Sequence, residues 1–486
     1  MTSTAHRQAA LAPVLVFTTM VAAVISSLGA PLIPSISTDL HVPLSSAQWS
    51  LTAALLSGAV SAPIMGRLGD GPRRRETLIG GLAAVTLGGV IAALAPSLAV
   101  LVLGRTLQGI GLGLVPLTMA AARDHLPRER VPATIALLSV CAAAGVGAGY
   151  PISGLIADGL GLSAAFWFGA VVSALALACV LLVVPSSASR PAASLDVTGA
   201  VLLTIGLIAL LLAIAEGNAW GWTSAPVLAL LVAAAFVLGG WIVQQLRTTA
   251  PLVELRLLRH PAVLTGDGCA IVLGVAMYMY LSGVTEYVQT PREAGYGFSA
   301  SVVVAGLSLV PFSITSVASS RLLPQLTALV GRRGVLPVGC LVVALAGAFF
   351  ATFHTALWQA FVMMAILGAG LGATFAAIPG LVVGAVPETE TGSAMGFYQV
   401  VRYVGFSLGS ALAASILAGH TPAGQHLPGE AGYTLVFWVG VAICVAAAAL
   451  AWMLPARGVA RARAAELLGE EDGELAGAGL VGPLRD

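Results

Sequence analysis

About fourteen apolar stretches of roughly twenty residues each, parted by short Pro/Gly-rich or charged patches, make up most of this chain. A bilayer core about 30 Å thick is crossed by about 20 helical residues. Inside it, only helices or closed barrels satisfy their own backbone groups. A water-soluble domain does not expose so many such segments. The chain is therefore expected to be an all-α integral membrane protein, with its function carried by the few polar residues kept inside the membrane. Its 9% charged content lies far below the usual soluble value of about 25%. A net charge of +1 gives no reason to expect a nucleic-acid partner.

The expected helix cores are 11–33, 46–66, 77–95, 98–120, 132–157, 163–184, 197–216, 224–245, 261–289, 299–323, 334–353, 356–385, 393–418 and 433–454. The first run, from near Leu11, lacks a small-residue cleavage site close behind it, so it reads as a spanning helix and not as a removed signal peptide. An even number of spans puts both termini on one side. The connections on that side carry Arg67, Arg73, Arg74 and Arg75, then Arg123, Arg128 and Arg130, then Arg190, Arg247, Arg256 and Arg259, then Arg321, Arg332 and Arg333, and the tail arginines. The opposite connections hold only Arg292. The positive-inside rule then makes both termini cytoplasmic, in a multi-pass protein of the plasma (inner) membrane.

An internal repeat runs through this pattern. Gly109-Ile110-Gly111-Leu112-Gly113 returns as Gly368-Ala369-Gly370-Leu371-Gly372, and Arg67-Leu68 before Arg73-Arg74-Arg75 returns as Arg321-Leu322 before Arg332-Arg333. Many secondary transporters are built from such repeats. The expected organisation is a six-helix bundle in 1–190, an inserted helix pair in 191–250, a second six-helix bundle in 251–455, and a charged, disordered cytoplasmic tail in 456–486.

A few ionisable groups interrupt the apolar spans, and such groups are costly unless paired or wet. Arg105 lies about seven residues into helix 4, roughly 10 Å deep, with Gln108 on its face. It either lines a cavity or snorkels toward the interface. Helix 9 carries Asp267, Tyr278, Ser282 and Glu286 within an arc of about 100°. A buried carboxylate there can load and release a proton, with Glu286 the first candidate and Asp267 the second. The alternatives are an interfacial position for Glu286 and a pairing of Asp267 with Arg259 or Arg256. Arg402, near the middle of helix 13 with Tyr398 and Gln399 on its side, is expected to pair with Asp267 or Glu286, to reach a helix carbonyl, or to clamp the two halves.

Three motifs stand in register. Gly66-Arg67-Leu68-Gly69-Asp70-Gly71-Pro72-Arg73-Arg74-Arg75 follows helix 2. Gly104-Arg105-Thr106-Leu107-Gln108-Gly109-Ile110-Gly111 opens helix 4, and Gly145-Val146-Gly147-Ala148-Gly149-Tyr150-Pro151-Ile152-Ser153-Gly154 lies in helix 5. In this order they resemble the signatures of the major facilitator superfamily, and fourteen helices with the third motif resemble its drug:proton antiporter branch. The departures are Gly71 and Arg73 in the first motif, Tyr150 before Pro151 in the third, and no Asp in helix 1. The resemblance implies a conformational latch of Gly66, Asp70, Arg73, Arg74 and Arg75, where Asp70 faces a helix N-terminus or an Arg of the other half. It implies that Arg105 lines the transport cavity and tunes proton coupling, and that Gly145, Gly149, Pro151 and Gly154 pack helix 5 against the other half.

The resulting expectation is proton-coupled efflux of small lipophilic or cationic compounds by alternating access, by a monomer, around a cavity of helices 1, 4, 9 and 12. Arg105, Gln108, Asp267, Tyr278, Ser282, Glu286, Tyr398, Gln399 and Arg402 are its candidate residues. No Walker-type loop appears and the histidines form no metal cluster, so no cofactor, no metal and no enzymatic activity are expected, and the proton gradient is the energy source. A transporter of a polar metabolite on the same fold is the alternative. A membrane sensor or hydrolase is the distant one, and it would need a catalytic pair that the sequence does not offer.

Overall fold

A computed structural model describes residues 2–186, 195–422 and 427–477. Arg190 and Arg485 lie outside them. Among the described residues, fourteen helices are long and apolar enough to cross a membrane. They are α1 (Ala10–Ser27), α2 (Trp49–Asp70), α3 (Arg74–Ala93), α4 (Leu98–His125), α5 (Val131–Leu160), α6 (Leu162–Val183), α7 (Val197–Trp220), α8 (Ala225–Arg247), α9 (Pro261–Gln289), α10 (Val302–Arg321), α11 (Leu323–Thr352), α12 (Leu357–Ala385), α13 (Glu388–Gly419) and α14 (Glu430–Met453).

Local chemistry sets the helix ends. The Asp196 carboxylate accepts the Gly199 N–H at the start of α7, and the Ser301 hydroxyl accepts the Val304 N–H at the start of α10, each satisfying a donor that has no partner within the helix. The first span breaks at Leu28 and resumes as a short helix, Gly29–Asp39. Gly331, at φ +73°, turns the chain between a short leading helix and the main body of α11. Beyond Met453 the last helix continues to Gly477. Composition predicts disorder after Pro455; residues 478–486 of that tail lie outside the described part, and the stretch up to Gly477 is rich in Ala, Leu, Arg and Glu, strong helix formers.

Helices α1–α6 and α9–α14 form two bundles of like plan, with α7 and α8 inserted between them. The shared glycine pattern has a shared geometry. A Cβ on Gly109 of α4 would come within 2.2 Å of the Ala54 carbonyl oxygen of α2, and one on Gly368 of α12 within 2.3 Å of the Phe312 carbonyl oxygen of α10. In both bundles the glycine-rich helix therefore lies backbone-to-backbone on its partner. The inserted pair sits on the boundary between the bundles. Leu203, Leu207 and Trp241 form a buried cluster with Val400 of α13, against which Ile64 of α2 packs. Asn218 of α7 donates to the Ala411 carbonyl of α13 at 3.3 Å. Helix α8 is mostly exposed, as a lipid-facing span should be.

Candidate functional site: the boundary between the two bundles

The bundles meet most closely where α2 ends and α13 begins. A Cβ on Gly66 would lie 2.3 Å from the Gly392 carbonyl oxygen, and one on Gly392 would lie 2.3 Å from that of Gly66. Only hydrogen at both Cα positions allows the approach. Across it, Asp70, 4% exposed, accepts the Gly392 N–H at 2.6 Å and the Ser393 N–H at 2.8 Å. A carboxylate thus meets the positive end of a helix in the other bundle, where charge and unfilled donors both favour it. Arg67 adds an ion pair to Glu390 at 3.0 Å. Arg123 of α4 donates to the Thr391 hydroxyl at 2.6 Å and to the Val386 carbonyl.

The basic cluster behind Asp70 is divided in its duties. Arg73 is exposed. Arg74 is buried inside the first bundle, bonded to Asp124 and to the Ala120 carbonyl. Arg75 donates to the Leu181 and Val184 carbonyls at the end of α6. None of these contacts crosses the boundary. Sequence reasoning placed Arg67 in the first motif and among the topology-setting arginines but not in the latch, and it missed Arg123, Glu390 and Ser393 as cross-boundary partners. The available signal was the Glu388-Thr389-Glu390-Thr391 run, which puts carboxylates just ahead of a helix and opposite the first motif.

Helix α5 runs unbroken through Pro151 and lies between α1 and α10. A Cβ on Gly145 would strike Ala23, and one on Gly149 would strike Ser27, both on α1. On the opposite side, Ser313 of α10 donates to the Ala144 carbonyl at 2.8 Å, and Gly306 lies against Pro151. Gly154 has room around it, its nearest neighbour being Val303 at 3.9 Å.

Arg105 is fully buried, and its donors are filled. Nη1 reaches the Ile25 carbonyl at 3.1 Å and the Gln108 Oε1 at 2.7 Å, Nη2 the Ser26 carbonyl at 3.3 Å, and Nε the Ser50 carbonyl at 3.2 Å. The Ile25 and Ser26 carbonyls that it meets lie just before the break of the first span at Leu28. Gln108 is held by that bond, with its Nε2 unpartnered.

Arg402 is 2% exposed. Among the described residues it forms no ion pair, so the expected bond to Asp267 or Glu286 is not made. Its guanidinium carbon instead lies 5.3 Å from the Phe375 ring centre, 5.5 Å from Tyr398, 5.8 Å from Tyr403 and 5.6 Å from Phe406. Nε and Nη1 have no hydrogen-bond partner. The Tyr398 hydroxyl and the Gln399 Oε1, both buried beside it, are likewise unpartnered. Tyr278 of α9 stacks on Phe406 with ring centres 4.5 Å apart, so it shares this cage.

The remaining helix 9 residues spread along its length. Asp267 is buried, with Oδ1 unpartnered, and borders a narrow crevice with Val263, Ser393 and Phe397. Arg256 goes to Glu254 at 3.8 Å and to the Leu246 carbonyl, not to Asp267. Ser282 is half-buried and Glu286 exposed. A cavity of about 970 Å³ opens at the end of the molecule that carries the termini, bordered by Arg123, Glu129, Arg321 and Arg332 and by the small residues Ala376, Gly380 and Gly384 of α12. It lies among α5, α10, α11 and α12, not among helices 1, 4, 9 and 12, and none of the nine candidate cavity residues borders it.

Two helix bundles of one plan, each with a buried arginine and joined by polar contacts at the α2–α13 approach, have the architecture of the repeat-built membrane transporters. The sequence profile of the Major Facilitator Superfamily matches residues 15–410 and 312–475, and the chain belongs to that superfamily. It is 29% identical over 399 residues to the tetracenomycin C resistance and export protein of Streptomyces glaucescens, covering 79% of this chain and 71% of the relative. It is 28% identical over 390 residues to the multidrug resistance protein Stp of Mycobacterium tuberculosis, with the same coverage. The probable actinorhodin transporter of Streptomyces coelicolor is 27% identical over 403 residues, covering 79% of this chain and 68% of that one. The crystal structure of the human organic anion transporter TETRAN shares the fold, with a TM-score of 0.62 at 16% identity over 91% of this chain and 99% of that one.

Proposed function

We propose that this protein exports small lipophilic compounds in exchange for protons, as a single chain alternating between two end states in the cytoplasmic membrane, with both termini inside. The observation that carries the proposal is the α2–α13 contact. A carboxylate of one bundle holds the first N–H groups of a helix in the other, beside a second buried carboxylate on α9. The arginine-rich connections support an inward position for this end. The names of the related resistance and export proteins support the direction of transport.

In this scheme the Asp70, Arg67 and Arg123 contacts hold the inner end closed, and their release opens it. Asp267 is the first choice for the proton. It is buried with a free oxygen, and it shares its crevice with Ser393, which is itself a partner of Asp70. Protonation of Asp267 would alter the field at the start of α13 and so the hold of the latch. Glu286, the first candidate from the sequence, falls to second because it is exposed. Arg105 acts on the cycle by fixing α1 and α2 to α4.

The test is a panel of lipophilic substrates in everted vesicles, with and without an uncoupler. Uptake should be abolished by the uncoupler. A double variant, Asp267→Asn with Glu286→Gln, should lose gradient-driven uptake while keeping substrate exchange. Unchanged gradient-driven uptake in that variant removes both acids from the coupling. Movement of every substrate insensitive to the uncoupler overturns proton-coupled export itself.

A further inference from the structure

The Arg402 cage holds more unfilled hydrogen-bonding capacity than packing requires. A buried guanidinium normally meets a carboxylate or several carbonyls, as Arg105 does. Arg402 has four ring faces, which offset part of its charge, but two of its N–H-bearing nitrogens are left without an acceptor. One turn before it, the Tyr398 hydroxyl and the Gln399 Oε1 are also unfilled. The cage stands on a helix that meets the other bundle, for a Cβ on Gly396, six residues before Arg402, would press on Ala62 and Pro63 of α2, and Ile64 of α2 packs on the cluster that holds Val400. The acids of α9 stand away from it. Gly274, whose added Cβ would lie 3.0 Å from the Arg402 carbonyl oxygen, is about 10 Å along α9 from Asp267 and about 18 Å from Glu286 by helix rise. The local charge is therefore positive and uncompensated, and it is walled by aromatic rings.

We infer that this cage recognises an aromatic anion, an aryl carboxylate or an acidic phenol, and that this is the substrate class of the transporter. The inference rests on the export reading above. An anionic oxygen would accept from Nη1 or from Nε, whose N–H groups open on different edges of the guanidinium with Cδ between them, so the anion engages one edge at a time. The ring would stack among Phe375, Phe406 and Tyr278, as aromatic groups do at offset or tilted angles. Tyr398 and Gln399 would meet a neighbouring hydroxyl or carbonyl. A lipophilic cation of the same size is disfavoured, because it would enter beside an unpaired guanidinium in a medium of low dielectric. The donors become reachable as the bundles part.

The experiment uses the full chain in detergent and in proteoliposomes, with anthracene-9-carboxylate, its neutral methyl ester and the cation ethidium as probes. Binding is read by quenching of protein fluorescence. The carboxylate should bind about tenfold or more tighter than the ester, as expected of charged hydrogen bonds, and ethidium should bind weakest. Arg402→Gln should erase the preference for the carboxylate and leave ester binding in place, while Arg402→Lys should keep part of it. Equal binding of carboxylate and ester by the unaltered protein overturns the inference, and that measurement needs no variant to fold. A preference that survives in Arg402→Gln overturns it too. Transport is scored separately. Gradient-driven efflux of ethidium and the ester, without the carboxylate, would sink the anion site and leave the export reading standing. Arg402-dependent anion binding without gradient-driven transport of any probe would sink the export reading and leave the site.

Discussion

Arg105 and Arg402 are both guanidiniums buried in a membrane span, and they are accommodated in opposite ways. Arg105 gives its donors to the carbonyls of Ile25, Ser26 and Ser50 and to Gln108, all within the first bundle. Arg402 is surrounded by four rings near the boundary of the bundles and keeps two nitrogens free. The first arrangement is a staple: the arginine of α4 holds carbonyls of α1 and of α2 and so ties three helices together. The second leaves the same side chain with capacity to bind something else. Depth in the membrane is thus a poor guide to role, and the count of filled donors is a better one.

The sharpest way to break this contrast is to remove each arginine in turn. Arg105→Met should unfold the protein more readily in detergent, on a scale of about 3 kcal/mol or more, because several buried carbonyls lose their donor. Arg402→Met should cost less than about 1 kcal/mol or even stabilise, since an apolar side chain suits the cage and the Tyr403 hydroxyl, which Arg402 also meets, keeps the Gln399 amide at 3.4 Å. Thermal-melting curves of the two variants side by side decide the matter, and a reversed order would refute the contrast.

The latch gives effects of intermediate size. Gly392→Leu puts a side chain where the Gly66 carbonyl oxygen lies 2.3 Å from the first added carbon. Spin labels across the end that carries the termini should then report the separated state as the main population. Asp70→Asn keeps the shape but loses the charge that faces the α13 N-terminus. It should weaken the closed state by about 1–2 kcal/mol, visible as a roughly tenfold population shift in the same distance measurement. Glu390→Gln, which breaks a partly exposed ion pair, should shift it by only about 0.5–1 kcal/mol.

An effect of similar size, on stability and not on the α2–α13 contact, lies at the start of α7, outside the spans. Burial alone would raise the Asp196 carboxyl, but the Gly199 N–H and the Gln244 and Gln245 amides outweigh it and hold the group below its ordinary value. A carboxyl lowered in the folded state contributes stability that is present above its unfolded value and lost as pH falls through the folded one. Asp196→Ala should therefore cost about 1 kcal/mol at neutral pH. The difference from the unaltered protein should shrink on acidification, as melting curves over a pH series would record.

Much of the latch was legible before the fold was known. Asp70 follows an apolar run and precedes an arginine cluster, so a carboxylate at a helix end was evident. A helix N-terminus of the other half was among the expected partners, but which helix was not legible, because backbone N–H groups carry no residue signature. Arg74 and Arg75, which the motif groups with Asp70, turn inward to a carboxylate and to carbonyls of the first bundle. Sequence adjacency cannot reveal such a turn.

The fourteen spans, the repeat and the presence of ionisable groups within the spans follow from the sequence alone, because hydropathy and helix length are local quantities that the bilayer reads residue by residue. Which of those groups is satisfied, which cross-bundle carbonyl or ring it meets, and which donors stay free were decided only when helices distant in the chain came together. Hydrogen bonding and ring contacts act over a few ångströms, and the sequence sets no distance between Arg402 and Phe375 until the bundle is packed.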